Sequence, residues 1–360
     1  YKSIADLKKW FYPRKDYRYI FNKNPFLILG EKGVGKTALY SVLSHKDYAT
    51  SLALYCDIEP NELDRTEWVV GLDDNPKYPS RINFQNLNNL SVEHSMNYWL
   101  LLLIRYLPEK YLVHSEADFV QKARINPIPE LKDLATDNNI AESLESELVE
   151  IDKKLQKDEQ NVTYIFDYLD RLLPEESGIR GKLVSGLISL FYGFNKRLNN
   201  IKAKIFLRKD IFEREAQSIT DKVKIENFAA TIDWDYDTLL NLLWKRLCGC
   251  QPILLKSLFR EYSIKEDPNL GFIPTLLKDN HFELLKTLLG SYMGGNNKAF
   301  PYNWIQNHIK DTRDKIHPRT LIWLFSKSAE KQRQENKKEN KDLIDRVIRS
   351  RNMEEALTEV

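Results

Sequence analysis

The stretch FLILGEKGVGKTALYSVL, Phe26 to Leu43, reads as a buried strand, a glycine turn and a helix in immediate succession. FLILG is a continuous apolar run closed by glycine, the pattern of a strand covered on both faces in a parallel sheet. Gly30, Gly35, Lys36 and Thr37 fit G-x-x-x-x-G-K-[ST], with Gly33 a further glycine inside the turn. The spacing has a mechanical reason. The turn must wrap a phosphate so that successive backbone N–H groups point inward, and glycines permit that path. The helix that follows offers its partly positive N-terminus to the same phosphate. The expected nucleotide contacts are therefore Gly30, Glu31, Lys32, Gly33, Val34, Gly35, Lys36, Thr37 and Ala38. Lys36 would reach the β and γ phosphates, and the Thr37 hydroxyl would ligate Mg²⁺. A chance glycine-rich turn is the bland alternative. The strand before it and the helix after it argue against that.

A phosphate loop needs an acidic partner for its metal, placed at the end of a second buried strand. NVTYIFDYLDRLLP supplies one: Tyr164, Ile165 and Phe166 lead to Asp167, and Asp170 follows three residues later. Asp167 is the expected Mg²⁺ holder, through water. Acidic residues end many strands; the glycine loop upstream is what gives this one a role. A further apolar run, Ala203 to Arg208, ends in a cation. If that strand lies between the phosphate-loop strand and the Asp167 strand, Arg208 faces the γ-phosphate and can sense or stabilise its charge. The alternative is a surface arginine.

Outward from these motifs the chain alternates strand and helix. Leu52–Ile58 and Glu226–Trp234 read as further strands. Helical patterns fall at Lys36–Ser44, Glu93–Leu107, Ala141–Lys157 and Gly181–Leu198. Such alternation predicts an α/β fold with a parallel sheet and helices on both faces. The Asn-, Asp- and Pro-rich segment 60–90 reads as an irregular excursion. After Trp234 helices dominate: Tyr236–Leu247, Phe282–Leu289, Tyr302–Asp311, Arg319–Lys331 and Asp342–Leu357. The expected division is an α/β nucleotide-binding domain over 1–233 and a helical lid or C-terminal domain over 234–360.

Composition sets bounds. The apolar fraction is 42% and the net charge +2, so a core can form and no global charge calls for nucleic acid. Three cysteines in 360 residues make no disulfide framework, and a reducing, cytoplasmic location is expected. No apolar run reaches membrane-spanning length, so no membrane partner is expected. The chain opens on Tyr1 rather than Met, without a signal-peptide pattern, so a segment upstream is expected, and an effector domain could precede Tyr1 or follow Val360. Cys248 and Cys250 lack a second ligand pair at zinc spacing, and the six histidines are scattered. The C-terminal basic residues are interleaved with acids, which reads as a solvated amphipathic helix before it reads as a nucleic-acid surface.

The four passages GEKGVGKTAL, YIFDYLDRLLP, KIFLRKDIFE and HPRTLIWLFSKSA, in this order, resemble the P-loop ATPases with an additional strand beside the metal strand. Among these the chain looks most like bacterial STAND and KAP-type ATPases, relatives of the AAA+ class. The resemblance implies that Asp167 coordinates Mg²⁺, that Arg208 is a phosphate sensor, and that Arg319, after Pro318, is a second sensor on a lid helix. Proline also starts helices for purely structural reasons. In that family an acid usually follows the metal aspartate and polarises the attacking water. Here it is Tyr168, a poor base at neutral pH. Asp170 replaces it if the strand end turns back; otherwise the protein is a nucleotide switch.

The function expected from the resemblance is a regulatory ATPase. Its catalytic set is Lys36, Asp167, Asp170 and Arg208, its cofactors are ATP and Mg²⁺, and its metal ligands are Thr37 and Asp167. Nucleotide state would be coupled to lid closure or to oligomerisation, in the manner of bacterial stress and phage-defence systems. A homo-oligomeric or effector protein partner is implied, and an arginine from a neighbouring subunit would be sought at Arg180 or Arg214. The alternatives are a non-hydrolysing nucleotide-gated scaffold and a nucleic-acid-stimulated ATPase. The aromatic run WFYPRKDY, Trp10 to Tyr17, is a candidate wall for adenine, or plain core.

Overall fold

The computed structural model describes residues 4–60, 64–112, 118–175, 178–215, 219, 221–249, 261–262, 264–293, 299–311, 313–339 and 347–359. The chain divides into two compact units, one of residues 14–32 and 36–232, the other of residues 1–13, 33–35 and 233–360.

The first unit is built on a five-stranded sheet: β1 (Leu27–Gly30), β2 (Thr66–Leu72), β3 (Asn161–Phe166), β4 (Ile201–Arg208) and β5 (Ala229–Thr231). The order across the sheet is β2-β3-β4-β1-β5, and every pairing is parallel. β4 therefore lies between the glycine-loop strand and the Asp167 strand, as the role of Arg208 requires. The sheet is flanked by helices, which explains why β1, β3 and β4 are buried almost throughout. The longest of these helices, Val92–Tyr106, Ile140–Lys157 and Ile179–Arg197, match the expected spans to within two residues at each end. Buried polar tips are satisfied across the layers: Trp99 Nε1 donates to Leu183 O at 2.9 Å, and Tyr164 Oη to Leu103 O at 2.8 Å. This is an α/β P-loop core.

Two expectations fail in the same region. Residues 52–58 are not a strand; Lys46–Tyr55 is a helix, buried through Tyr48, Ala49, Leu52 and Ala53. Those positions recur at helical spacing, and a short apolar run does not by itself distinguish the two states. The second strand lies instead inside the supposed irregular excursion, as Thr66–Leu72. That excursion also carries a short helix, Arg81–Gln85, closed by a capping box between Ser80 and Asn83. Clustered Asn, Asp and Pro hid both elements.

Gly71 shows why β2 holds its place. A Cβ there would lie 2.5 Å from two ring carbons of Phe166, the buried residue that precedes Asp167. Gly71→Ala is expected to destabilise the fold by about 1–3 kcal/mol, through displacement of that ring. Chemical denaturation measures it, and a cost below about 0.5 kcal/mol would show that no such close approach exists.

The second unit is mostly helical: Ile4–Trp10, Tyr236–Gly249, Lys278–Leu289, Pro301–His308, Pro318–Glu339 and Ser350–Leu357. It also contains an antiparallel hairpin, Lys265–Asp267 with Gly271–Ile273, that periodicity does not reveal in strands so short. Tyr12 Oη donates to Pro274 O at 2.7 Å, which ties residues 1–13 to this unit rather than to the sheet they precede in sequence. The helix expected over 342–357 is described only as Ser350–Leu357; residues 340–346 lie outside the described residues, as do Cys250 and most of the loop 293–301. Lys327, Lys331, Arg349 and Arg351 of this region are ion-paired with Glu330, Glu359, Glu335 and Glu335 respectively. No described helix is long and apolar enough to cross a membrane.

Candidate nucleotide-binding site

β1 ends at Gly30, whose partner in the sheet register is Arg208 at the end of β4. β3 ends at Phe166, so Asp167 leaves the same edge of the sheet one strand further on. A parallel sheet puts all its C-terminal strand ends on one side, and this is where open α/β sheets bind ligands. The glycine turn crosses that edge, with Gly33 at φ +95° and Gly35 at φ +103°, a region that side chains with a Cβ rarely enter. The helix Lys36–Leu43 begins directly after it.

Lys36 Nζ donates to Gly30 O at 2.8 Å and to Glu31 O at 2.9 Å, so its ammonium sits inside the curl of the turn. Burial lowers its pKa, while the negative fields of Asp167 and Asp170 act the other way. Asp167 is 4% exposed. The Thr37 hydroxyl and the Tyr168 backbone N–H lie near enough to hold its pKa down. Burial nevertheless pushes its pKa up to about 6, with Asp170 adding to the rise. Its Oδ2 is buried and has no hydrogen-bond partner among the described residues. A buried carboxylate oxygen left unmatched beside a hydroxyl is the donor set of a hard divalent cation, and Asp167 and Thr37 fit Mg²⁺ on that ground.

Tyr168 adopts the left-handed conformation, φ +61°. A β-region residue there would carry the chain onward; this one turns it back into the short helix Leu169–Leu172, with Arg171 N and Leu172 N both bonded to Tyr168 O. A non-glycine residue in this region costs about 1–2 kcal/mol, and such strain concentrates at functional sites. The Tyr168 ring is held edge-on against Tyr40 at 5.8 Å and lies under the Arg171 guanidinium at 5.6 Å. Burial and the neighbouring Asp167 push its phenol up to about 12, far from a base at neutral pH. The reversal delivers Asp170 to the cluster: its Oδ2 is 3.9 Å from Arg208 Nη1, and its charge acts on both Lys36 and Asp167. Arg171 runs the other way, to Asp74 at 2.9 Å.

Of the residues singled out from sequence, Lys36, Thr37, Asp167, Asp170 and Arg208 are thus brought together. Arg319 begins the helix Pro318–Glu339 one residue after its proline. Within the second unit it packs on Gly33: a Cβ there would lie 2.9 Å from Arg319 Cβ and 3.2 Å from its Nε. Trp234, which sequence reasoning used only as a strand end, donates from Nε1 to Val34 O at 2.9 Å and lies 6.5 Å from the ring of Tyr12. Arg180 is corrected as a candidate for reaching a neighbouring subunit. It is 3% exposed and turned inward, donating to Leu173 O and pairing with Glu175 at 2.9 Å. Arg214 is exposed and paired with Glu215. Asp210 was missed, although it stands two residues after the strand-end arginine. Its carboxylate takes two hydrogen bonds from Arg208, from Nε at 3.0 Å and from Nη2 at 2.6 Å.

No family model matches the sequence, and no curated protein matches it. Among solved structures the chain is similar to the Aeropyrum pernix ORC2 protein, determined as ADPNP-ADP complexes, with a TM-score of 0.36 and 12% identity. The match covers 96% of this chain and 65% of that one.

Proposed function

We propose that this protein binds ATP with Mg²⁺ and hydrolyses it slowly, using the nucleotide state as a signal. The observation that carries the reading is the cluster at the sheet edge, where Lys36, Asp167, Asp170 and Arg208 converge and Asp167 Oδ2 is buried without a partner among the described residues. In this reading the N–H groups of the turn and Lys36 hold the β and γ phosphates, and Arg208 answers the γ charge. Thr37 and Asp167 would hold Mg²⁺, which supplies charge neutralisation between the phosphates. Asp170 accepts the proton of the attacking water as its oxygen bonds to the γ phosphorus and the β–γ bridging oxygen leaves with ADP. The motif order makes Arg319, after Pro318, the second sensor of this reading.

The motif order supports placement near STAND and KAP-type regulatory ATPases of the AAA+ class, and with it a role in stress or phage defence through an oligomer or effector. Tyr168 favours a second reading, a nucleotide switch with no turnover, because the residue after the metal aspartate cannot act as a base. Turnover of ATP by wild type and Asp170→Asn separates the two. The expected result is a fall of at least about 100-fold in kcat for Asp170→Asn, with ATP affinity kept within about threefold. Equal turnover by both would remove Asp170 from the mechanism. Tight ATP binding by wild type without turnover would establish the switch.

A further inference from the structure

Arg208 is the charged end of β4, and its guanidinium has two usable edges. The Nε/Nη2 edge is gripped by both oxygens of Asp210, at 3.0 and 2.6 Å, in the planar fork geometry that fixes an arginine in one orientation. The remaining nitrogen, Nη1, faces the cluster: it is 3.9 Å from Asp170 Oδ2, and the arginine's charge is felt at Lys36, where it lowers the ammonium's pKa. Asp210 is itself held. The helix Lys209–Glu215 carries it in its first turn and so sets its position. Lys36 and Arg208 carry like charge at one end of the sheet, and an anion that anchors Arg208 offsets their repulsion. Asp170 lies too far from Nη1 for a hydrogen bond; Asp210 makes two.

We infer that Asp210 is a positioning residue for triphosphate recognition: it aims Arg208 Nη1 at the place of the γ-phosphate, and so sets the preference for ATP over ADP. The inference rests on the nucleotide reading given above. Asp210 touches no phosphate itself. An arginine freed of it keeps its charge but samples many orientations, and loses the pre-organisation that makes the charge count where negative charge develops.

The test is the affinity of the whole chain for ATP and for ADP, each with Mg²⁺, by calorimetry, with turnover on the same samples. The variants are Asp210→Ala, the isosteric Asp210→Asn, Arg208→Ala and the double variant Arg208→Ala/Asp210→Ala. The expected result is that Asp210→Ala lowers the ATP-over-ADP preference by about 5- to 30-fold and kcat by about 10- to 100-fold. Affinity for ADP stays within about twofold. Asp210→Asn, which keeps one acceptor oxygen, falls between. In the Arg208→Ala background the second substitution adds nothing, because Asp210 acts through that arginine. A merely structural role would lower ADP affinity and thermal stability along with ATP affinity, and would overturn the inference. So would an unchanged preference, or a raised one, which would make Asp210 a restraint that withholds Arg208. The nucleotide reading fails separately, if wild type binds neither ATP nor ADP.

Discussion

Lys36→Ala is expected to lower affinity for both ATP and ADP by about 100-fold or more. The ammonium rests on the carbonyls of Gly30 and Glu31, inside the curl where phosphate oxygens would lie, and it is partly shielded from water. Truncating one side of a desolvated charge pair costs about 2–5 kcal/mol, and each 1.4 kcal/mol is tenfold in affinity. The loss should be larger for ATP than for ADP, because Lys36 serves the γ as well as the β phosphate. Titration calorimetry with both nucleotides measures it. Retention of wild-type affinity would end the nucleotide assignment.

The second large effect is at Asp167. Its folded pKa of about 6 lies above the ordinary 3.8 of an aspartate. For an acid, a raised folded pKa means that the folded state binds more protons than the unfolded state between those two values. Stability is therefore lost as pH rises from about 4 to about 6, and the whole cost is present above that. At 1.36 kcal/mol per unit the penalty is on the order of 3 kcal/mol at pH 7.5 without a cation. Asp167→Asn removes the buried charge and keeps the shape of the side chain. It should raise the melting temperature of the nucleotide-free protein at pH 7.5 by about 4–8 °C, and the gain should shrink toward pH 4.5. The same substitution should abolish Mg²⁺-dependent turnover, by at least about 100-fold. A protein that stores instability in a functional carboxylate loses function when that instability is relieved. A lower melting temperature for Asp167→Asn at pH 7.5 would contradict the account, and turnover that persists would take the metal role from Asp167.

What sequence could reach here was decided by locality. The turn from Gly30 to Thr37 is contiguous, its spacing is dictated by the path a backbone takes around a phosphate, and each of its residues could be named in advance. Asp167 and Arg208 were legible because buried parallel strands announce themselves as apolar runs, and the residue that ends such a run leaves the sheet on the ligand side. That reading still needed the strand order, in which β4 lies between β1 and β3. The second strand was misplaced because LALYCDI and TEWVVGL are both short apolar runs, and only packing decides which becomes strand and which becomes helix. TEWVVGL could pair with β3 because Gly71 admits the Phe166 ring, a fit invisible in either segment alone.

The composition of the cluster was fixed by the sequence; its geometry was decided by tertiary structure. Tyr168 in place of an acid is plain on the page, but its left-handed backbone, which brings Asp170 back beside Lys36, is set by the cage of Tyr40 and Arg171 around its ring. Asp210 stands in the sequence as one acid among many. It becomes a partner of Arg208 only because the end of β4 and the first turn of the next helix fold the two side chains edge to edge. Periodicity and motif spacing report which groups a backbone must present. The pKa of a carboxylate and the aim of a guanidinium depend on what surrounds them in space, and those neighbours come from segments far apart in the chain.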